Sequence, residues 1–532
     1  MRSLSRSIQL LLVVCAAVSY GAGQGTVTGT VKDPNGAAVR GAFVRARSDS
    51  KSRIAVSVLS DGQGRYRFEN LTPGGYRVWS EAAGYAGAPA VAVDVTARAT
   101  TQDFTLGKGT VRWSDLSNYQ MLTLLPESKG KEALNNRCLI CHGFQSRMAA
   151  RPRSEDGFKA MVRYMRTAMH FNLGSRFTDE MAADVTSFLN ESFGVDAKTP
   201  KSPAELPGYQ ATVRPISAEG LKIVYVDYQM TRPSSFPFSA TPDSDGKMWI
   251  PEFGAANRIA RLDPNTGEMQ EFLAPHQGTA AIHSAVPAPD GSIWMAQQGS
   301  NKLGKWDPRT ETITEYQAEY EPGKDKELIT GSKHTSRVDS KGNVWSSGYP
   351  FTKFDPKTEK FTYYREARSS YDVKIDAADN AWFTANIPSS TIGKVDAQTG
   401  KVTMWTLPTK GYLRRLEIDS QGIIWVGEYE AGKLARFDPA TEQFKEYQLP
   451  GPAPTPYAMG IDRKDRVWYS SHDMDVIGVL DPATGKVTEY PVPYPENTMK
   501  EFFLDAQGRL WWGSPPNNRV GYFWIAGENA SR

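Results

Sequence analysis

The stretch KDRVWYSSHDMDVIGVLDPATGKVTEY, residues 464–490, shows a unit that recurs through the C-terminal half of the chain. Each unit has a short turn that ends in tryptophan, then an apolar strand, a turn of the DPxTG kind and a final strand. The tryptophans stand at positions 249, 294, 345, 382, 425, 468 and 511, at intervals of 45, 51, 37, 43, 43 and 43. Such a period, with four short strands per unit, is typical of a β-propeller blade. The sequence therefore predicts a seven-bladed β-propeller over residues 220–530.

One irregular interval and the last unit refine this prediction. The interval of 51 contains EYEPGKDKELITGSKH, residues 319–334, whose length and charge indicate an extended loop at the rim of a binding site. The seventh unit lacks its final strand, and LKIVYVDY at residues 221–228 has the pattern of that strand. We therefore expect the strand at residues 221–228 to close the ring.

The repeat resembles the virginiamycin B lyase family, seven-bladed propellers whose units read DGxVWFxE…IGRIDPxTGxVxEY. The resemblance implies linearisation of cyclic streptogramins by elimination at an ester-linked threonine. It also implies a His base eleven residues before a blade tryptophan and a Glu ligand to Mg²⁺ three residues after it. No blade carries both residues, since His283 is matched with Gln297 and His334 with Gly348. The pair on which the lyase mechanism depends is therefore broken in this chain.

The same frame brings titratable residues to equivalent places in successive blades. The positions eleven before each tryptophan, expected near the central channel, hold Phe238, His283, His334, Tyr371, Arg414, Tyr457 and Lys500. The positions three after hold Glu252, Gln297, Gly348, Ala385, Glu428, Ser471 and Ser514. The candidate catalytic residues are His283, His334, Glu252 and Glu428, acting as general base and partner or as ligands of a divalent metal such as Mg²⁺. A structural, hydrogen-bonded role for each histidine is the alternative. Arg414 and Lys500 favour an anionic or carbonyl-bearing ligand.

Upstream of the repeat, NNRCLICHGF at residues 135–144 contains the motif Cys-x-x-Cys-His. This spacing is the attachment signal for c-type haem, in which Cys138 and Cys141 form thioethers and His142 ligates the iron. A thioredoxin-like pair needs a βαβ setting, and a structural zinc site needs further ligands at suitable spacing. The surrounding sequence supplies neither, so we predict haem c as the cofactor.

Residues 113–198, around this motif, have helical periodicity. Helices are predicted over GKEALNNRC, DGFKAMVRYMRTAMH and FTDEMAADVTSFLN, the last with an N-terminal cap at Thr178. The first and last helices resemble those of small c-type cytochromes. The run CHGFQSRMAARPRSEDGFKAMVRYMR is similar to haem domains of quinohaemoprotein amine dehydrogenases. The cytochrome pattern implies Met169 as the sixth iron ligand. The alternatives are Met165, Met148, His170, an open position, and a packing role for all five methionines of the segment.

Residues 24–107 alternate short β-rich runs with turn clusters such as Asp33-Pro-Asn-Gly36 and Pro73-Gly-Gly75. This spacing predicts a small antiparallel β-sandwich. The runs GTVKDPNGAAVRGAFVRA and DGQGRYRFENLTPGGYRVWSEAAGY resemble carboxypeptidase regulatory-like domains. Such modules usually carry no catalysis, so we expect a spacer, or a contact with carbohydrate or a protein partner.

Residues 1–23 have the layout of a secretory signal peptide, with Arg2 and Arg6 before an apolar run and small residues after it. The run is far shorter than the about 20 residues of a membrane-spanning helix, and no later segment is apolar enough to span. We therefore expect a periplasmic or secreted protein that loses Cys15 with its signal peptide. A net charge of +3 without a basic block gives no support for nucleic-acid binding.

Together these patterns predict a mainly β, multidomain protein with a small β-sandwich, a short α-helical cytochrome c-like domain and a seven-bladed propeller. One functional hypothesis is an exported haem c protein with an electron-transfer or oxidoreductase role. Its propeller would bind a substrate or cofactor, and the haem would exchange electrons with a redox partner protein or a small molecule. The other is a virginiamycin B lyase-like C–O lyase, or a ligand-binding propeller, with an accessory haem domain. Reduction of the haem by a candidate substrate distinguishes the first hypothesis from the second.

Overall fold

A computed structural model describes residues 24–51, 53–139, 142–169, 173, 176–254, 256–317, 332–367, 369–387, 389–496 and 498–528. The predicted signal peptide and most of the predicted rim loop, at residues 318–331, lie outside these ranges. Three groups of elements follow one another along the chain: a β unit of two sheets, a set of helices and a ring of four-stranded sheets. Within the described ranges, no helix is long and apolar enough to cross a membrane.

The N-terminal β unit has a sandwich-like arrangement. Its strands are β1 Gly25–Lys32, β2 Phe43–Ser48, β3 Ile54–Leu59, β4 Arg65–Leu71, β5 Gly74–Glu81, β6 Tyr85–Ala86, β7 Val91–Val95, β8 Thr100–Thr101, β9 Phe104–Thr105 and β10 Gly107–Lys108. One sheet joins β1 to β4, β8 and β9, and the other contains the order β3-β2-β5-β7. Val27, Val44 and Val78 are fully buried in the shared core, as alternating strand residues of two packed sheets should be.

The helical region follows. Its helices are α1 Asn118–Leu124, α2 Lys129–Arg137, α3 Glu155–Ala168, α4 Asp179–Phe193 and α5 Tyr209–Thr212. Each of α2, α3 and α4 begins with a hydroxyl cap. The side-chain oxygen of Ser128, Ser154 or Thr178, respectively, accepts a backbone N–H of the first turn. The periodicity of the sequence predicted these three helices. It missed α1 and α5, because one or two turns show no clear apolar period.

The helices α2 and α4 pack closely against each other at Gly130. A Cβ atom added to Gly130 would lie 2.1 Å from the carbonyl oxygen of Asp184 and 2.7 Å from the Cβ of Phe188. Glycine is therefore needed for this approach of the two backbones. The core of the region is apolar and includes Trp113, Leu134, Phe144, Met148, Phe158, Phe177, Phe188 and Leu189.

Among the described residues, the remaining strands form a propeller-like ring of seven blades. Six blades are separate four-stranded antiparallel sheets, and the seventh is part of a larger sheet that continues into the sandwich. Strand β11 Ile223–Gln229 precedes blade 1. Blade 1 consists of β12 Thr241–Pro242, β13 Met248–Glu252, β14 Arg258–Leu262 and β15 Met269–Leu273. Blade 2 consists of β16 Ile282–Pro287, β17 Ile293–Gln297, β18 Lys302–Asp307 and β19 Thr312–Gln317. Blade 3 consists of β20 Ser332–Val338, β21 Val344–Tyr349, β22 Phe351–Asp355 and β23 Lys360–Tyr364.

Blade 4 consists of β24 Ser369–Ile375, β25 Ala381–Ile387, β26 Thr391–Val395 and β27 Val402–Thr406. Blade 5 consists of β28 Leu413–Ile418, β29 Ile424–Glu428, β30 Lys433–Asp438 and β31 Gln443–Gln448. Blade 6 consists of β32 Pro456–Ile461, β33 Val467–Ser471, β34 Val476–Leu480 and β35 Val487–Pro491. Blade 7 contains β36 Phe503–Leu504, β37 Leu510–Ser514 and β38 Arg519–Ile525. Strands of neighbouring blades contact one another, and β36 contacts both β32 and β12, so the ring is closed.

The recurring tryptophan has the same partner in six of the blades. Its indole N–H donates to the carboxylate of the aspartate six residues earlier, at 2.7–3.0 Å, in the pairs Trp249–Asp243, Trp345–Asp339, Trp382–Asp376, Trp425–Asp419, Trp468–Asp462 and Trp511–Asp505. The same aspartates accept backbone N–H groups of the following turn, as Asp243 does from Asp245 and Lys247. This double use of one carboxylate explains why turn and tryptophan recur in a fixed frame.

The first strand of the ring closes it and also joins it to the sandwich. β11 pairs antiparallel with β38, with Tyr225 opposite Phe523, as the sequence predicted. The other edge of β11 pairs with β3, with Tyr225 opposite Ser57, so one sheet of eight strands runs from blade 7 into the sandwich. Arg45 is buried at this junction, 3.1 Å from Ser57 Oγ and 4.2 Å from the ring centroid of Tyr494. The sandwich is therefore fixed to the edge of the propeller.

Candidate functional site

A β-bulge at the start of the first strand turns side chains toward the channel in five blades. The pairing register shifts around His283, and equivalent shifts occur around His334, Tyr371, Arg414 and Tyr457. An extra residue in one strand leaves the ladder and re-aims its side chain. The bulges explain why the side chains at equivalent positions of the repeat point the same way in these five blades.

The seven frame positions converge into one contiguous group, which we call the channel ring: Phe238, His283, His334, Tyr371, Arg414, Tyr457 and Lys500. Ring centroids are 4.8 Å apart between Phe238 and His283, 3.7 Å between His283 and His334, and 4.2 Å between His334 and Tyr371. The hydroxyls of Tyr371 and Tyr457 are hydrogen-bonded. The guanidinium of Arg414 lies over both tyrosines, and Lys500 Nζ lies 4.2 Å from the centroid of Tyr457.

Both histidines of the channel ring are neutral near pH 7. Burial lowers the pKa of His283 well below its usual range, and the neighbouring His334 and the positive charges of Arg415 and Lys500 act in the same direction. Burial likewise lowers the pKa of His334. Each imidazole therefore retains a lone pair that can accept a proton or a hydrogen bond.

A second polar layer lies next to the channel ring and was missed by the sequence reasoning. Arg415 Nη1 donates to Asp372 Oδ1 at 2.8 Å and to Thr335 Oγ1 at 2.7 Å, and all three residues are buried. Burial opposes ionisation of Glu501, but the charges of Arg337, Arg415 and Lys374 hold the pKa of Glu501 at about 2. Each of Thr335, Asp372, Arg415 and Glu501 directly follows a ring residue, which is the signal that could have identified the layer.

Within the described residues, no hydrogen bond joins Glu252 or Glu428 to His283 or His334. Each glutamate ends the second strand of its blade and is buried, and no hydrogen bond to either carboxylate is present within the described residues. In the blade of His283 the equivalent Gln297 donates to Glu315 at 2.9 Å. In the blade of His334, a Cβ at Gly348 would lie 1.7 Å from the carbonyl oxygen of Ser332. The part of the chain that the structure describes contains no group of three His, Cys, Asp or Glu side chains placed to hold a metal ion.

We expect Glu252 and Glu428 to make the propeller less stable at alkaline pH. Burial raises the pKa of each to about 7, and the charges of Glu271 and Glu446 add to the effect. A glutamate in the unfolded chain has a pKa of about 4.3. Between this pKa and the folded pKa of about 7, the folded state binds more protons than the unfolded state, so the free energy of unfolding falls as the pH rises. Each of Glu252→Gln and Glu428→Gln should raise the free energy of unfolding at pH 8 by up to about 3 kcal/mol.

Urea unfolding at about pH 5 and about pH 8 checks this expectation, since the variants should differ from the wild type only at the higher pH. The exposed Glu69 supplies the control, because Glu69→Gln should leave the pH dependence unchanged. Identical pH slopes in all four proteins would contradict the expectation.

The helical region docks on the face of the propeller that carries the channel ring. It contacts loops of blades 6, 7 and 1 next to the starts of their first strands. The contacts are Asn118 Nδ2 to Asp473 Oδ1 at 3.2 Å, Tyr119 N to Asp473 O at 2.8 Å, Gln145 Nε2 to Asp475 Oδ2 at 3.2 Å, Ser146 N to Glu496 Oε2 at 3.0 Å, and the Arg147 guanidinium over the Phe236 ring at 4.6 Å. Next to them, His472 stacks on Tyr457 at 4.3 Å. Sequence reasoning missed these loop residues, because they lie outside the regular strands.

His142 of the Cys-x-x-Cys-His motif is buried at this interface. Its Nδ1 donates to the carbonyl oxygen of Gly143 at 2.6 Å, which sets the tautomer and leaves the lone pair on Nε2. Burial lowers the pKa of His142, the charge of Glu496 raises it, and those of Arg147 and Lys500 lower it. Lys500 belongs to the channel ring. The motif histidine and the channel ring, predicted separately from the sequence, are therefore neighbours.

The other predicted iron-binding residues lie on the helices or outside the described residues. Cys138 follows α2, with its N–H bonded to Leu134 O at 2.8 Å, and is partly buried against the apolar core. Met169 follows α3 and is half-buried outside that core, whereas Met148 lies within it. Cys141 and His170 lie outside the described residues.

Two family models match parts of the chain. The virginiamycin B lyase family matches residues 353–531, and the carboxypeptidase regulatory-like domain matches residues 26–107. Each match covers less than half of the chain. A comparison with curated proteins finds no match.

Solved structures support the propeller assignment. The chain is similar to a streptogramin B lyase, with 21% identity and a TM-score of 0.51 over 58% of this chain and 100% of that one. It is also similar to virginiamycin B lyase from Staphylococcus aureus, with 19% identity and a TM-score of 0.50 over 56% of this chain and 98% of that one. At these identities the likeness shows the fold alone.

Proposed function

We propose that this protein is an exported haem c oxidoreductase in which a small molecule bound at the channel ring exchanges electrons with haem on the helical region. The observation that carries the proposal is the position of His142, buried against the propeller face where Lys500 and Glu496 act on its pKa. A redox centre at His142 would lie beside a cluster of polar, titratable side chains. A propeller with only a structural role has no need of such a cluster.

The residues around the motif fit a haem. The Nδ1 of His142 is occupied by a backbone carbonyl, so Nε2 is the atom left for iron, as is usual for a ligating histidine. Cys138 borders an apolar core that a porphyrin requires. The helices likened to the first and last helices of a cytochrome pack together at Gly130. Bound haem would supply one-electron redox chemistry, with Cys138 and Cys141 as attachment points and Met169 as the proposed sixth ligand.

The channel ring favours a small organic anion with a carbonyl or hydroxyl group. Arg414 and Lys500 supply positive charge, and the phenols of Tyr371 and Tyr457 supply hydrogen-bond donors. The neutral His283 and His334 can each accept a hydrogen bond from a hydroxyl group of the substrate. These side chains would bind the substrate and orient it.

Anaerobic reduction of the haem by a panel of small hydroxy acids and phenolates tests the proposal. Arg414→Met should raise the half-saturating concentration of an active reductant about tenfold or more, because it removes a charged hydrogen-bond donor. The control is Arg436→Met in the same blade, which removes a partly exposed cation next to Asp438. Equal half-saturating concentrations in both variants would contradict a binding role for the channel ring.

A second candidate function is a lyase-like elimination, favoured by the family match over residues 353–531. The positions of Gln297 and Gly348 weigh against it, since neither can provide the carboxylate of the lyase pair. Linearisation of virginiamycin B by the purified protein, with the haem remaining in one redox state, would favour this candidate over the oxidoreductase.

A further inference from the structure

Three buried oxygen atoms point to one place where the helical region meets the propeller. They are Asn118 Oδ1 at the start of α1, Gln145 Oε1 after the Cys-x-x-Cys-His motif and Glu496 Oε1 in the loop before β36. Each of the three residues is 1% exposed, and no hydrogen bond to these atoms is present within the described residues. Buried acceptors in folded proteins are nearly always bonded, so three that lie close together need a common explanation.

Gly143 shows how close these oxygens are. A Cβ atom built on Gly143 would lie 2.0 Å from Gln145 Oε1, 2.9 Å from Asn118 Oδ1 and 2.8 Å from Glu496 Cγ. The two amide oxygens therefore lie within about 5 Å of each other, which is the span available to two ligands of one Ca²⁺ at about 2.3–2.6 Å. Because Gly143 has no Cβ atom, its own side chain does not occupy the space between these oxygens.

Hydrogen bonds fix the orientation of all three groups. Asn118 Nδ2 donates to Asp473 Oδ1 and Gln145 Nε2 donates to Asp475 Oδ2, both at 3.2 Å. Each amide therefore turns its oxygen away from the aspartates. Glu496 Oε2 accepts the backbone N–H of Ser146 at 3.0 Å, so its other oxygen remains available. Outer-sphere bonds of this kind orient the ligands of bound metals.

The charge of the region suits a cation. Three carboxylates meet here, and the two basic side chains that act on the adjacent His142 lie against aromatic rings, Arg147 over Phe236 and Lys500 over Tyr457. A single water has two hydrogens and would leave one of the three acceptors without a donor. A cation takes lone pairs from all three.

We propose that Asn118 Oδ1, Gln145 Oε1 and Glu496 Oε1 bind a Ca²⁺ ion that links the helical region to the propeller. Carboxylate and amide oxygens are calcium ligands, and calcium tolerates irregular geometry completed by water, whereas Mg²⁺ demands a near-ideal octahedron. One carboxylate and two neutral ligands place the dissociation constant in the range of extracellular modules, about 10⁻⁴–10⁻³ M. The ion would hold the segment that follows His142 on the channel face.

Calcium titration of the full chain, after treatment with EDTA, tests the site by isothermal titration calorimetry. One Ca²⁺ should bind per chain, and Mg²⁺ should bind at least about tenfold more weakly. Gln145→Met and Glu496→Gln should each weaken calcium binding at least about tenfold. Gln270→Met is the matched control, because it makes the same exchange at an exposed position of blade 1 and should bind calcium as the wild type does.

Absence of calcium binding up to about 10 mM, or equal binding by Gln145→Met and wild type, would overturn the proposal. If Glu496→Gln fails to fold, Gly143→Ala provides a second test, since its methyl group would occupy the site and should abolish binding. The haem spectrum of the same samples separates the two proposals. A protein that carries haem but binds no calcium would contradict only the calcium site. A protein that binds calcium but carries no haem would contradict only the proposed oxidoreductase function.

Discussion

Replacing Cys138 and Cys141 together by Ala should abolish covalent haem attachment and unfold the helical region, while the propeller stays folded. The region is short, and the core beside Cys138 would lose the porphyrin proposed to pack against it. A pyridine haemochrome spectrum measures the first effect in protein matured in a host with cytochrome c assembly. Limited proteolysis measures the second, with cuts expected within residues 113–212.

Met161→Leu is the control for the double variant. It exchanges residues of similar volume beside the same core and should keep both the haem band and the protease resistance. A c-type haem band that survives in the double Cys→Ala variant, or its absence from the wild type, would contradict the proposed attachment.

Replacing Arg415 by Met should lower the free energy of unfolding of the propeller by about 3–5 kcal/mol. Arg415 is 1% exposed, and its partner Asp372 is fully buried at 2.8 Å. Removing the cation leaves Asp372 and the nearby Glu501 as buried charges with fewer compensating partners. Urea unfolding followed by tryptophan fluorescence measures the loss.

The matched control is Arg65→Met, which breaks an ion pair with Asp61 whose side chains are 66% and 40% exposed. Pairs of this kind contribute about 1 kcal/mol or less. Equal losses for Arg415→Met and Arg65→Met would mean that water screens the network beside the channel ring.

Much of the propeller could be predicted because its sequence signal is periodic. The aspartate of each turn bonds both the turn and the indole of the following tryptophan, so the frame that recurs in the sequence is the frame of the blades. The same periodicity identified the positions of the channel ring and the strand that closes the circle, β11. Local and repeated interactions are visible in a single sequence.

The remaining features depend on three-dimensional contacts, which the spacing of residues in the repeat does not predict. Glu252 and Glu428 share a repeat position with the glutamate of the lyase pair, yet each ends a strand without a hydrogen bond to His283 or His334 within the described residues. Arg415 and Asp372 lie where bulges interrupt the pairing of their strands, and the repeat frame alone does not show that the two side chains form an ion pair. The docking of Asn118 and Gln145 on loops more than 300 residues away could not be predicted from spacing.

The most direct test of the account is the midpoint potential of the haem in Lys500→Met, measured by spectroelectrochemical titration. Lys500 belongs to the channel ring and lies close enough to His142 to lower its pKa. Removing a buried positive charge beside the proposed haem should disfavour the reduced iron and lower the potential, because local charge tunes such centres. Lys464→Met, which removes a cation 59% exposed on a surface turn, should leave the potential unchanged. A lower potential in Lys500→Met alone is the predicted result, and equal potentials in wild type and both variants would contradict a haem beside the channel ring.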